Sequence, residues 1–129
     1  MNSVVVDASA LAAVVFQEPG FERVVAQLDG ATVSAPALLK FELANVAVVK
    51  ARRQPAEAGR IIAALAIALD ERSNIMWHDI DPADVALMAL ASGTTGYDAS
   101  YLYLAGSLGA DLVTLDEDLV KAVDALRDL

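Results

Sequence analysis

The sequence predicts an α/β fold, a mostly parallel sheet covered by helices on both faces. Three observations carry this. Candidate strands and candidate helices alternate along the chain, the order that builds parallel crossovers. The first strand, Ser3–Val6, is a continuous β-branched run, the pattern of a strand buried on both faces. No repeat, low-complexity tract or linker divides the 129 residues, so one domain, 1–129, is expected.

After the first strand, residues 8–16 read as a helix that Glu18, Pro19 and Gly20 punctuate. Phe21–Leu28 reads as a second helix, ended by Asp29 and Gly30. A short strand over 32–34 stops near Pro36. Residues 37–52 form a long predicted helix with apolar positions at Leu39, Leu43, Val46 and Val49. Gln54 and Pro55 break it, and Pro55 suits the start of the next helix, 56–69. A third strand is expected over 75–80. Asp81, a good N-cap, opens a helix from Pro82 to about Ala91. Residues 93–96 read as a loop, 98–107 as a helix, 111–115 as a strand and 118–126 as the last helix.

Apolar residues make up 57% of the chain, which argues against disorder. No apolar run reaches the roughly 18 residues of a membrane span. The start, MNSVVVDAS, lacks a basic region and a long apolar core, so no signal peptide is expected. There is no Cys, hence no disulfide framework and no thiolate metal site. A cytosolic protein is the simplest reading. The net charge of −9 argues against a plain nucleic-acid-binding module, because phosphate affinity comes from Lys and Arg. Six of the nine basic residues nevertheless lie between Lys40 and Arg72. Among these, Lys50, Arg52 and Arg53 either complement a helix dipole or contact a nucleic-acid backbone, and the two readings are compatible.

Four acids stand out. In an open parallel sheet, functional groups gather beyond the carboxyl ends of the strands. Asp7 follows the first strand and Asp116 follows the last, so both are expected on one edge. Asp98 sits near the start of the helix before that last strand. Glu42 lies one turn into the long helix, and residues 38, 42, 45, 46 and 49 share its face. Each has a plainer reading. Asp98 and Asp116 are possible helix caps, with Asp118 the better cap for the last helix, and Glu42 is an exposed helix residue if the phase differs. If the four converge, pairs about 4 Å apart repel by about 4 kcal/mol at an effective dielectric near 20. A divalent cation relieves that repulsion, and all-oxygen ligation points to Mg²⁺, with Mn²⁺ as substitute. Zinc is disfavoured: Cys is absent, and the lone His78 is remote from the acids in sequence. Trp77 and the tyrosines at 97, 101 and 103 read as core or rim packing, with base stacking as the rarer alternative.

Four motifs, VVDASAL (5–11), PALLKFELANV (36–46), TGYDASYLYLA (95–105) and LVTLDEDL (112–119), resemble those of PIN-domain proteins. Within that family the chain resembles the VapC-type toxin ribonucleases of type II toxin–antitoxin pairs. The resemblance spans nearly the whole chain. It implies a three-layer α/β/α sandwich with a central, mostly parallel sheet. It implies a metal-binding catalytic pocket of Asp7, Glu42, Asp98 and Asp116, with Asp118 lining it and Ser9 supporting it by hydrogen bonding. Mg²⁺-dependent hydrolysis of RNA follows, leaving a 5′-phosphate and a 3′-hydroxyl, with Asp98 or Asp116 as general base. It also implies a homodimer, a cognate antitoxin whose C-terminal segment lies near the acids, and a prokaryotic cytoplasm. Three rivals stand beside it: a PIN nuclease of RNA processing, a non-catalytic PIN-fold interaction module, and a Mg²⁺-dependent phosphoryl-transfer or receiver-like domain.

Overall fold

The computed structural model describes residues 2–127. Four strands form one sheet in the order β3-β2-β1-β4, and every neighbouring pair is parallel. The strands are β1 (Ser3–Val6), β2 (Thr32–Pro36), β3 (Met76–His78) and β4 (Asp111–Val113). Between and after them run α1 (Ala8–Val15), α2 (Phe21–Leu28), α3 (Leu38–Arg53), α4 (Ala58–Ala68), α5 (Pro82–Ser92), α6 (Gly96–Leu108) and α7 (Glu117–Arg127).

Strand β1 lies at the centre. Successive strand residues face opposite sides, yet Val4, Val5 and Val6 are all buried, so helices cover both faces. Helix α6 packs on β1, β2 and β4, and α1 packs on α2, α3 and α4. The architecture is the expected α/β/α sandwich. The core joins the β1 valines to Leu11, Val24, Leu39, Leu43, Tyr101 and Leu104. Helix α6 ends on Gly109, whose φ of +61° lets the chain turn into β4 without the steric penalty a Cβ carries there.

Several predicted boundaries move, each for a local reason. Helix α6 starts at Gly96 rather than at 98, because the Thr95 side chain accepts the Asp98 N–H at 3.1 Å and caps it. Strand β4 stops at Val113 rather than 115. The last ladder bond runs from the Asp7 N–H to the Val113 carbonyl, and the Leu115 N–H then turns to Ser9 Oγ at 3.0 Å. Strand β2 runs on to Pro36, paired with His78, while β3 is only three residues long. The predicted helix over 56–69 divides into a 3₁₀ turn, Pro55–Glu57, and α4.

Candidate active site

Because all four strands are parallel, their carboxyl ends share one edge, and the acids arrive there from four directions. Asp7 follows β1 directly. Its side chain caps α1, and it is only 4% exposed. Oδ1 accepts from Ser9 Oγ at 2.8 Å and from the Ala10 N–H at 2.9 Å, while Oδ2 accepts from Thr114 Oγ1. Thr114 and Ser9 are themselves oriented by backbone: the Asp116 N–H donates to Thr114 Oγ1 at 3.0 Å, and the Leu115 N–H to Ser9 Oγ. Three donors thus hold one buried carboxylate, and two of them tie β1 to the loop after β4.

Asp116 is exposed, three residues beyond the end of β4. Its Oδ1 accepts the N–H groups of Asp118 at 2.9 Å and Leu119 at 3.3 Å. Asp116 therefore caps α7 and Asp118 does not, which reverses the expected preference. The reason is the early end of β4, which starts the helix at Glu117. Asp98, by contrast, is not a cap. Thr95 has that role, and the Asp98 carboxylate, in the first turn of α6, is left half-buried without a hydrogen bond among the described residues.

Glu42 is half-buried. The inward stripe of α3 is Leu39, Leu43 and Ala47, so the phase is one position off the expectation. Val46 packs against the core, but Asn45 and Val49 face solvent. Glu42 sits on the edge of the stripe, where it reaches α6: Tyr101 Oη donates to its Oε1. Tyr101 is thus more than core packing.

The electrostatics join these acids. Burial, first of all, raises the carboxyl pKa of Asp7, Glu42 and Asp98 above the ordinary range. The charge of Asp116 adds to the rise at Asp7, Asp98 and Asp7 add to it at Glu42, and Asp116, Asp7 and Asp118 add to it at Asp98. The hydrogen bonds to Asp7 and Glu42 work in the opposite direction without cancelling it. Among the described residues, the ion pairs lie at Glu18, Glu57, Asp70 and Asp111, so no protein cation compensates this wall.

Among the described residues, no group of three or more His, Cys, Asp or Glu is set closely enough to enclose a metal ion by itself. Both Asp7 oxygens and one oxygen each of Glu42 and Asp116 are turned to protein donors. The donor set is all oxygen and uncompensated. That fits Mg²⁺, which takes one or two carboxylates and keeps several of its waters. It does not fit an ion stripped bare in a protein cage.

An apolar groove of about 680 Å³ is lined by Leu38, one turn before Glu42 on α3, by Tyr97, next to Asp98 in the chain, and by His78, Ile80, Val85 and Ser100 among others. The buried Nε2 of His78 has no hydrogen-bond partner among the described residues. Trp77 lies under Lys40 Nζ, 4.8 Å from the ring centre, and Tyr103 Oη donates to Asp84 Oδ2 at 3.1 Å. Lys50, Arg52 and Arg53 occupy the last turn of α3, about 12–17 Å along the axis from Glu42 at 1.5 Å per residue. Lys50 there pairs with Glu18 at 2.7 Å.

Sequence reasoning passed over Thr114 and read Tyr101 only as core or rim packing. Each carried a signal. Thr114 stands two residues before Asp116 as Ser9 stands two after Asp7, a hydroxyl on either side of the sheet edge. Tyr101 follows Asp98 at i+3, on the same helix face.

A family model described as PIN domain matches residues 4–125. Among solved structures, PAE2754 from Pyrobaculum aerophilum superposes with a TM-score of 0.75 at 27% identity, over 94% of this chain and 84% of that one. VapC20 from Mycobacterium tuberculosis, described as a sarcin-ricin loop cleaving toxin, superposes with a TM-score of 0.65 at 18% identity, over 92% of this chain and 94% of that one. The second likeness is one of fold alone. No curated protein sequence matches the chain.

Proposed function

The chain belongs to the PIN-domain family, and we propose that it is a Mg²⁺-dependent endoribonuclease, the toxin of a toxin–antitoxin pair. PIN domains are generally nucleases. The observation that carries the reading here is the set of acids at one sheet edge, mutually repelling and without a protein cation among the described residues. Asp7, Glu42, Asp98 and Asp116 would hold the ion with its waters, and Asp118 lines the same wall. Mg²⁺, or Mn²⁺ in its place, supplies positive charge to the phosphodiester and acidity to the attacking water. The hydroxyls of Ser9 and Thr114 orient Asp7 and favour its ionised form against the effect of burial. Asp98 is the better general base of the two candidates. Its oxygens are uncommitted, and burial and like charges raise its proton affinity, whereas Asp116 spends an oxygen on the α7 cap. Arg52 and Arg53, exposed at the far end of α3, would meet a substrate extending beyond the pocket.

The toxin reading draws on the sequence motifs and on the fold shared with VapC20, a sarcin-ricin loop cleaving toxin. An antitoxin segment carrying Arg or Lys would suit the groove beside the acids. The chain would act in a prokaryotic cytoplasm; no helix among the described residues is long and apolar enough to cross a membrane. A homodimer is supported by α5, which buries no residue and leaves Leu87 and Leu90 67% and 83% exposed one turn apart.

The test is RNA cleavage by the purified chain with and without Mg²⁺. Glu42→Gln keeps size and helix propensity and removes the charge. It should leave the fold intact and cut cleavage by orders of magnitude. Cleavage within a few fold of wild type, with the same Mg²⁺ requirement, would reduce Glu42 to an ordinary helix residue.

A further inference from the structure

We propose that Tyr101 is a positioning residue for Glu42, holding its carboxylate inside the acid pocket against the repulsion of its neighbours. The inference rests on the metal-dependent reading above.

Glu42 differs from the other acids in how it reaches the pocket. Asp7 and Asp116 follow strands and are fixed by backbone N–H groups of the helices they cap. Glu42 projects from inside a helix on a longer side chain with more torsions. Asp98 and Asp7 both repel it. Its flanking positions on α3, Phe41 and Asn45, are exposed, so water is one rotamer change away. Swung outward, Glu42 would escape both charges, regain full hydration and recover rotamer freedom. Left alone, that is where an ionised glutamate would go.

Tyr101 is the group that opposes this. Its Oη donates to Oε1, and Oε2 accepts no hydrogen bond among the described residues. The ring is 2% exposed, packed in the core with Val5, Leu39 and Leu104, and cannot follow the carboxylate outward. Burial, then the hydrogen bond to Glu42 and its charge, pushes the phenol's ionisation upward, so the hydroxyl remains a donor. The tether comes from α6, one turn after Asp98. One helix therefore delivers an acid and also restrains the acid that faces it from α3. Partners that orient a metal-binding group without touching the ion matter to affinity in this way.

The test compares Mn²⁺ titration calorimetry on the metal-free full chain for wild type, Tyr101→Phe, Glu42→Gln and the double variant. Tyr101→Phe preserves the ring and its packing. It should weaken Mn²⁺ binding by about 10- to 100-fold while the melting temperature stays near that of wild type. In the Glu42→Gln background the same change should alter affinity by no more than about twofold, since two residues acting as one unit are not additive. Mn²⁺ affinity of Tyr101→Phe equal to wild type, with Glu42→Gln impaired, overturns this inference and leaves the metal-dependent reading standing. An equal loss in both backgrounds overturns it too. No Mn²⁺ binding by wild type removes the underlying reading and this inference with it. Should Tyr101→Phe not fold, wild type labelled at tyrosine Cζ keeps the question open to measurement. Of the three tyrosine signals, the buried one should shift on Mg²⁺ addition and lose that response in Glu42→Gln; an unchanged response refutes the tether.

Discussion

Thr114→Val isolates one hydrogen bond at the centre of the pocket. Valine keeps the β-branched shape just after β4 and removes only the hydroxyl. The hydroxyl donates to Asp7 Oδ2 and accepts the Asp116 N–H. The second loss is small, because Asp116 is exposed and water takes the place of Thr114. The first falls on a carboxylate that is 4% exposed. Hydrogen bonds to charged groups contribute about 1.5–3 kcal/mol, and Asp7 retains two other donors, so a loss of about 1.5–2 kcal/mol is expected at pH 7. For a chain of this size that lowers the melting temperature by roughly 5–10 °C. The assay is thermal and urea denaturation of the metal-free protein, followed by circular dichroism, across pH. The bond lowers the pKa of Asp7 relative to the variant, so its stabilisation is present at high pH and fades as pH falls through the Asp7 titration. The gap between wild type and variant should therefore close in acid. A gap that stays constant would mean that the cost is packing. A gap under about 0.5 kcal/mol at pH 7 would mean that the hydroxyl contributes little to stability, against the usual worth of such bonds.

Asp98→Asn should raise the melting temperature of the metal-free protein by about 1 kcal/mol equivalent or less after solvent screening, since it removes three like-charge contacts and no cap, while weakening Mn²⁺ binding; destabilisation in EDTA would count against the repulsion. The raised pKa values of Asp7, Glu42 and Asp98 mean that the folded state holds more protons than the unfolded one above the ordinary carboxylate range. Metal-free stability should accordingly fall as pH rises from there, and Mg²⁺ should flatten the fall; a metal-free profile that instead rises over that range would contradict the shifts. If α5 forms the dimer face, Leu87→Glu with Leu90→Glu should halve the mass seen by analytical ultracentrifugation without unfolding the chain. An unchanged dimer would move the interface elsewhere.

The layer order and the edge on which the acids gather were both legible in the sequence. Alternating elements imply parallel strands, parallel strands share a carboxyl edge, and VVVD and LVTLD both end there. Hydrophobic periodicity also recovered every strand and α-helix to within a few residues, because burial imposes it locally. Contacts between distant segments decided the rest. The choice of cap at Asp116 over Asp118 depended on where β4 stopped, and β4 stopped where Ser9, 106 residues away, accepted the Leu115 N–H. The phase of α3 was set by packing against α1 and α4, which placed Ala47 inward and Val49 outward. Hydrophobicity does not distinguish those two positions; the packing of α3 on α1 and α4 does. The partners of the acids were the least legible part. Ser9 was legible through the family resemblance, but Thr114 and Tyr101 carried only faint signals, because a hydrogen bond across 107 or 59 residues leaves no local periodicity. The sequence determined which carboxylates could meet. Only the tertiary structure decided what holds them, because the donors come from other elements.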